Sequence, residues 1–432
     1  MDWVSLLPLI KVIGVFTLVV VLLRLSVQVG VALAAGAVAM GLLFAMGPWE
    51  IVRSFGSSLA DQKALILAAV ITLILILSGS LERLGQMEDL LGRFRERVGG
   101  RRWGLVAFPA LIGLLPMPGG AYFSAPMLDA FDPDKRLSPG LKSFLNYWYR
   151  HVWEYWWPLF PAVILTCTLA EFEVWRYTLF AFPLTLVALA GGVPHLMRVP
   201  RRLGGDPTQR SAFAGTPAWR CLMPMALAIV PGVGFGIGLQ LVGPPPPWAS
   251  LPRELGLVVG LLGAVIWSWT DRRARLEQIR SILLDPKLAR MWVTVAGVFV
   301  FKGIIERSGA AQDVGQLLLH LHIPVAWVAV LLPMIVGIIS GLPIAYVGAS
   351  FPIIITLITA MGLAELRLPF MILAFVSGFT GSLLSPMHLC LILSNEYFSV
   401  SWTRVYRYLW LPSAILLAGG IGYFWILRSV LP

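Results

Sequence analysis

Apolar runs of about 20 residues recur from one end of this 432-residue chain to the other, and each can cross the hydrocarbon core of a bilayer. At that depth no water pairs with the backbone, so runs of this kind close their hydrogen bonds within helices. Composition agrees: 58% of residues are hydrophobic and 13% charged, against about half and a quarter in a soluble chain. No stretch is left over for a soluble domain. A net charge of +11 would suit a nucleic-acid partner, but the basic residues sit in short connections between apolar runs and are read as topology. Cys167, Cys221 and Cys390 lie inside apolar segments without paired spacing, which reads as buried structural thiols. The amino terminus lacks a basic region followed by a small-residue cleavage site, so it is read as the first span.

Spans are expected near 4–23, 27–46, 64–80, 144–170, 176–196, 221–242, 254–269, 291–305, 368–395 and 405–428. Two further stretches, 103–128 and 324–360, are broken by LLPMPGGAYFSAP and SGLPIAYVGASFP and read as re-entrant helical hairpins. The arginine-rich segments 83–102, 198–220 and 272–290 belong on the cytoplasmic side. One threading satisfies all three, with ten spans, both termini outside, and the hairpins entering from opposite faces. GPPPPWASLP at 243–252 is then an external connector, and 82–97 an amphipathic surface helix.

An internal repeat organises the chain. Gly79-Ser80-Leu81-Glu82-Arg83-Leu84-Gly85, followed by Asp89, resembles Gly303-Ile304-Ile305-Glu306-Arg307-Ser308-Gly309, followed by Asp313. Each half then carries its broken hairpin, and Arg176-Tyr177 resembles Arg407-Tyr408, each followed by proline. The expected fold class is an all-α polytopic membrane protein of two inverted repeats, with about ten spans, two hairpins and two interrupted helices. The first repeat covers 1–200, a cytoplasmic linker 201–220, and the second repeat 221–432. Five crossings per copy invert the second copy, the design of alternating-access carriers whose site lies where helix breaks meet. Ordinary kinking by proline and glycine is the plainer alternative.

The segment Asn146 to Pro158 places Arg150, His151 and Glu154 in an aromatic span, where each ionised group costs about 2.5 kcal/mol or more. On a continuous helix these three share one face, suiting an arginine for an anionic group and a histidine or carboxylate that changes protonation. An interfacial aromatic belt is the alternative. The spacing of His151 and Glu154 also occurs in bundle metal sites, but no second matching pair follows, so no metal is expected.

In the second half, Thr380, Ser382 and Ser385 surround the break at Pro386, with His388 beyond it. Those hydroxyls suit a cation or polar solute, or they satisfy backbone loosened by proline. In the hairpins, Pro116, Pro118, Gly119, Gly120, Tyr122 and Ser124 match Ser340, Gly341, Pro343, Tyr346, Gly348 and Ser350 in layout. Small residues admit a ligand close to the backbone, and a helix starting there aims N–H groups at an anion. The expected substrate contacts are Pro118, Gly119, Gly120, Ser124, Asn146, Arg150, Gly341, Pro343, Gly348, Ser350, Thr380, Ser382 and Ser385. His151, Glu154 and His388 are the expected proton carriers.

PMPGGAYFSAP, NYWYRHVWEYWWP, SGLPIAYVGASFP and GSLLSPMHLCL, in that order, resemble the integral-membrane family called domain of unknown function 401. The resemblance covers essentially the whole chain. That family is similar to the ion transporter superfamily of gluconate, citrate, dicarboxylate, arsenite and sodium/proton carriers, which implies hairpins and broken helices. The Ser-Asn-Thr signature of the dicarboxylate/sodium symporters is replaced here by PMPGG and SGLPIAY, which weakens the case for sodium and a dicarboxylate.

The expected function is secondary transport of a small organic anion by alternating access, coupled to H+ or Na+, with no other cofactor. A cation/proton antiporter is one alternative. A membrane-embedded enzyme using His151 and Glu154 on a lipid-linked substrate is another. The expected partners are the lipid bilayer and a small-molecule substrate, without nucleic acid, and a homodimer is left open. The expected location is the cell inner (plasma) membrane.

Overall fold

The computed structural model describes residues 3–87, 89, 102–114, 120–200, 218–242 and 255–431, and among these it forms helices and turns without a strand. Seven helical stretches among the described residues are long and apolar enough to cross a membrane, from 6–24 to 402–430, which fits a multi-pass membrane protein. Helices 29–43, 104–113, 161–170, 255–271 and 325–340 are apolar but shorter. The outermost faces carry exposed Leu7, Ile10, Ile13, Trp425 and Ile426, the surface a lipid environment tolerates.

Element order repeats along the chain. Helices Trp3–Arg24, Val29–Leu43, Pro48–Leu59 and Gln62–Arg83 are matched in order by Ala218–Val242, Leu255–Asp271, Leu276–Leu283 and Pro286–Arg307. The matched pair Gln62–Arg83 and Pro286–Arg307 starts the same way in both halves. Asp61 accepts from the Lys63 N–H at 2.7 Å and Asp285 from the Lys287 N–H at 2.9 Å, each satisfying an amide that has no acceptor within its own helix. The pair also ends alike, at Gly85 with φ 69° and Gly309 with φ 71°. That left-handed conformation is one glycine adopts without strain.

The halves interlock reciprocally. Gln62–Arg83 packs on Leu255–Asp271 and Leu276–Leu283, while Pro286–Arg307 packs on Val29–Leu43 and Pro48–Leu59. Two glycines of the repeat serve as contact points: Gly303 lies against Ser58, and Gly79 faces Ile282. Pro48–Leu59 and Leu276–Leu283 are amphipathic helices in stretches that the sequence reading left as connections between spans. The surface helix expected over 82–97 falls mostly outside the described residues.

Each half continues with a helical hairpin and a span in two pieces. The first hairpin has arms Gly104–Gly113 and Ala121–Phe131, and the second has Val325–Ser340 and Pro343–Ala360 joined through Gly341 and Leu342. The first broken span comprises Pro139–Arg150 and Pro161–Ala170, and the second Arg367–Leu383 and Leu389–Tyr397. Again the contacts cross over: Pro161–Ala170 packs on the second hairpin's returning arm, and Leu389–Tyr397 on the first's.

One local expectation is corrected. The continuous helix that would carry Arg150, His151 and Glu154 on one face ends at Arg150, and 151–156 are turns. Pro158 keeps the helix from continuing through 154–158, because it donates no N–H and its ring clashes with the carbonyl four residues earlier, and Pro161 opens the next helix. The three side chains meet at a helix end rather than along a helix face.

Candidate functional site

Breaking a helix frees backbone carbonyls, and here carbonyls at the breaks hold the two histidine rings. The His151 N–H bonds to the Trp148 carbonyl at 3.1 Å, so the Tyr147 carbonyl is released and pairs with His151 Nδ1 at 2.6 Å. In the second span Pro386 cannot donate to the Ser382 carbonyl, which accepts from the Ser385 N–H at 3.1 Å and pairs with His388 Nδ1 at 3.0 Å. The next carbonyl, Leu383, accepts from the Tyr147 hydroxyl at 3.1 Å. The two breaks are thereby fastened to each other.

The two imidazoles meet where the halves meet, with His151 Nε2 3.2 Å from His388 Nε2. A carbonyl only accepts, so Nδ1 is the protonated nitrogen in both neutral rings. Both Nε2 atoms then present lone pairs to each other. Glu154 Oε1 lies 3.7 Å from His151 Nε2, and the Cys390 thiol stands beside both rings, with its sulfur and the histidine nitrogens within 4.8 Å of one another. All four residues are buried.

These groups line one wall of a cavity of about 230 Å³. Arg150 is on the same wall, its guanidinium laid over Gly120 so closely that a Cβ there would sit 2.2 Å from Nη1. Three helix N-termini open onto the cavity: Pro161–Ala170 through Pro161 and Ala162, Pro343–Ala360 through Pro343 and Ile344, and Leu389–Tyr397 through Leu389 and Cys390. The first amides of a helix have no acceptor within it and carry its positive dipole end.

Of the residues expected from sequence, Arg150, His151, Glu154, Gly341, Pro343 and His388 line this cavity. Gly120 lies beneath Arg150 rather than on the lining. Pro118 and Gly119 fall outside the described residues. The hydroxyls turn inward on their own helices: Ser350 bonds to the Tyr346 carbonyl, Thr380 to the Val376 carbonyl at 2.8 Å, and Ser124 to the Ala121 carbonyl at 3.3 Å. Ser385 Oγ accepts from the Met387 N–H at 3.1 Å, capping the break. Ser382 Oγ is buried without a partner among the described residues. Gly348 packs against Val298 and Leu33. Asn146 ties the halves together, donating to the Ala121 carbonyl and to Ser394 Oγ, both at 2.9 Å.

Sequence reasoning missed Cys390 and the N-termini at Ala162 and Leu389. The prolines at 158, 161 and 386 were the available signal. It also missed Lys142, which is buried and joined to Asp129 at 2.8 Å and Asp132 at 2.9 Å.

A family model described as protein of unknown function (DUF401) matches residues 9–426. The chain belongs to this family. No curated protein matches it. Membership covers both hairpins and both broken spans, so the site is built entirely within the family's own extent.

Proposed function

We propose that the chain is a secondary active transporter that moves a small organic anion by alternating access, driven by a proton or sodium gradient. The observation that carries this reading is the convergence of a buried arginine with three helix N-termini on one cavity between the halves. A positive side chain and the positive ends of helix dipoles favour an anion, and a guanidinium matches a carboxylate in two-point geometry. The cavity is smaller than the roughly 300–1,000 Å³ of pockets for drug-sized ligands, which favours a small solute. Glu154 supplies a carboxylate on the same wall, where a coupling cation finds its counter-charge.

Alternating access needs two related conformations around one site, which inverted repeats can supply. The repeated element order and reciprocal packing support two inverted repeats, and the His151–His388 contact lies at their meeting point. Ten crossings follow when the shorter apolar helices and the paired arms of the broken spans count as spans. The cytoplasmic arginine-rich loops, the external termini and a place in the ion transporter superfamily belong to the same proposal.

Purified protein in liposomes is expected to accumulate a small carboxylate or oxyanion under an imposed proton or sodium gradient. Arg150→Gln should weaken anion binding about ten- to hundredfold, the worth of one charged hydrogen-bonding partner. Sodium-driven proton movement without any organic solute, with no anion stabilising the protein, would instead establish a cation/proton antiporter.

A further inference from the structure

Beyond carrying an anion, we infer that His151, His388 and Cys390 form a binding site for a zinc-class divalent metal that bridges the two halves. Three donors converge, two imidazole nitrogens and one thiol, with their ligand atoms within 4.8 Å of one another. The two Nε2 atoms are 3.2 Å apart. Two imidazole nitrogens on one tetrahedral zinc, each about 2.0–2.1 Å from the metal, stand about 3.3–3.4 Å apart.

The surroundings are those of metal-ligating histidines. Such rings characteristically donate their second nitrogen to a carbonyl or carboxylate, which fixes the tautomer and aims the lone pair. Both rings do this here, through the Tyr147 and Ser382 carbonyls, and the orientation turns both Nε2 atoms toward the Cys390 sulfur. The Cys390 S–H can donate to one ring nitrogen, whereas a metal engages both nitrogens and the sulfur at once. Imidazole and thiolate together select zinc over magnesium or calcium, which take oxygen ligands. The Glu154 carboxylate, 3.7 Å from His151 Nε2, is placed to complete the coordination and balance its charge. The cavity wall on which all four residues stand gives the metal its entry.

Metal binding balances simply: the Cys390 thiol gives up one proton to solvent as its sulfur bonds to the metal, and the imidazoles bind as neutral ligands. The test uses full-length protein carrying Cys167→Ser and Cys221→Ser, so that Cys390 is the remaining thiol. Zinc is expected to slow maleimide alkylation of Cys390 at least tenfold. Cobalt(II) is expected to produce a thiolate-to-metal charge-transfer band in the near ultraviolet. The band should vanish in Cys390→Ser, and zinc protection should be lost in His388→Gln. No cobalt band together with unprotected Cys390 would overturn the site, as would protection that survives His388→Gln. Should the histidine variant fail to fold, the cobalt spectrum of the parent protein decides by itself. Binding is measured without any transported solute, so failure of the anion-carrier reading leaves this result standing, and the reverse holds too.

Discussion

The two broken spans do the same mechanical work with different chemistry. Each stops at a proline-imposed break, frees a carbonyl, hangs one histidine on it and restarts a short helix toward the cavity. Yet His151 follows the end of its first arm, whereas His388 caps the start of its second. The first break adds Arg150 and Glu154, and the second adds Cys390 and hydroxyls that serve their own backbone. The two breaks thus set where the histidines meet, and their unlike side chains set the chemistry of the meeting point.

The entrances to the two broken spans differ in the same way, and the largest effect should appear there. In the first half, Lys142 is 5% exposed and Asp132 1%, with Asp129 as a second carboxylate partner. At the matching entrance of the second half, Arg367 reaches the Ala170 carbonyl at 3.5 Å and Glu171 at 4.0 Å in a half-exposed cluster. Lys142→Met strands the Asp132 carboxylate in the interior and should cost about 3–5 kcal/mol, read as a large fall in the melting temperature of purified protein. Adding Asp132→Asn should recover part of the loss. A silent Lys142→Met would mean that the two entrances are equivalent after all.

Much of this architecture was legible in the sequence, for identifiable reasons. Apolar run length marked a chain of long apolar helices, and the constant spacing of Gly79, Glu82, Arg83 and Gly85 against Gly303, Glu306, Arg307 and Gly309 pointed to two helices that begin with the same cap and end at the same left-handed glycine. Arg150, His151, Glu154 and His388 stood out because ionisable groups are costly among apolar ones. Cys390 did not, since a cysteine in an apolar helix looks like any small core residue until the fold brings His151 from the other half of the chain to its side. The hydroxyls misled for the opposite reason. Thr380 and Ser350 look like ligands in one dimension, but the carbonyl four residues back is always within their reach.

A smaller effect tests whether the hairpins are mounted alike. Gly113 faces the Arg150 carbonyl so closely that a Cβ would lie 1.8 Å from its oxygen, and Gly337 faces the Gly378 carbonyl with a corresponding 2.2 Å. Each presses a hairpin arm onto the broken span of its own half. Gly113→Ala and Gly337→Ala should each cost about 1–3 kcal/mol through forced separation of the two backbones. Thermal unfolding of both variants in detergent measures this. A loss in one half alone would show that the matched positions do not carry matched loads.

The smallest effect concerns acid sensitivity at the two entrances. Burial pushes the Asp132 carboxyl up, but the Lys142 ammonium and the backbone N–H groups of Leu137 and Arg136 outweigh it and hold its pKa below the ordinary 3.8. Glu171 is likewise held below 4.5, chiefly by its hydrogen bond to Lys63. A carboxyl whose folded pKa lies below its unfolded one contributes stability that is complete above the unfolded value and disappears as pH falls through the folded value. Both contributions are therefore full at neutral pH and fade below about pH 4. Their sizes should differ with exposure. Glu171 and Lys63 are 54% and 51% exposed, and an ion pair so open to water is worth about 0–1 kcal/mol and is screened by salt. Glu171→Gln should lower the neutral-pH melting temperature barely, and less still in high salt. Asp132→Asn should flatten the acid limb of the stability curve visibly and with little salt dependence. Equal and equally salt-sensitive acid limbs in the two variants would remove the distinction between a buried entrance in one half and an open one in the other.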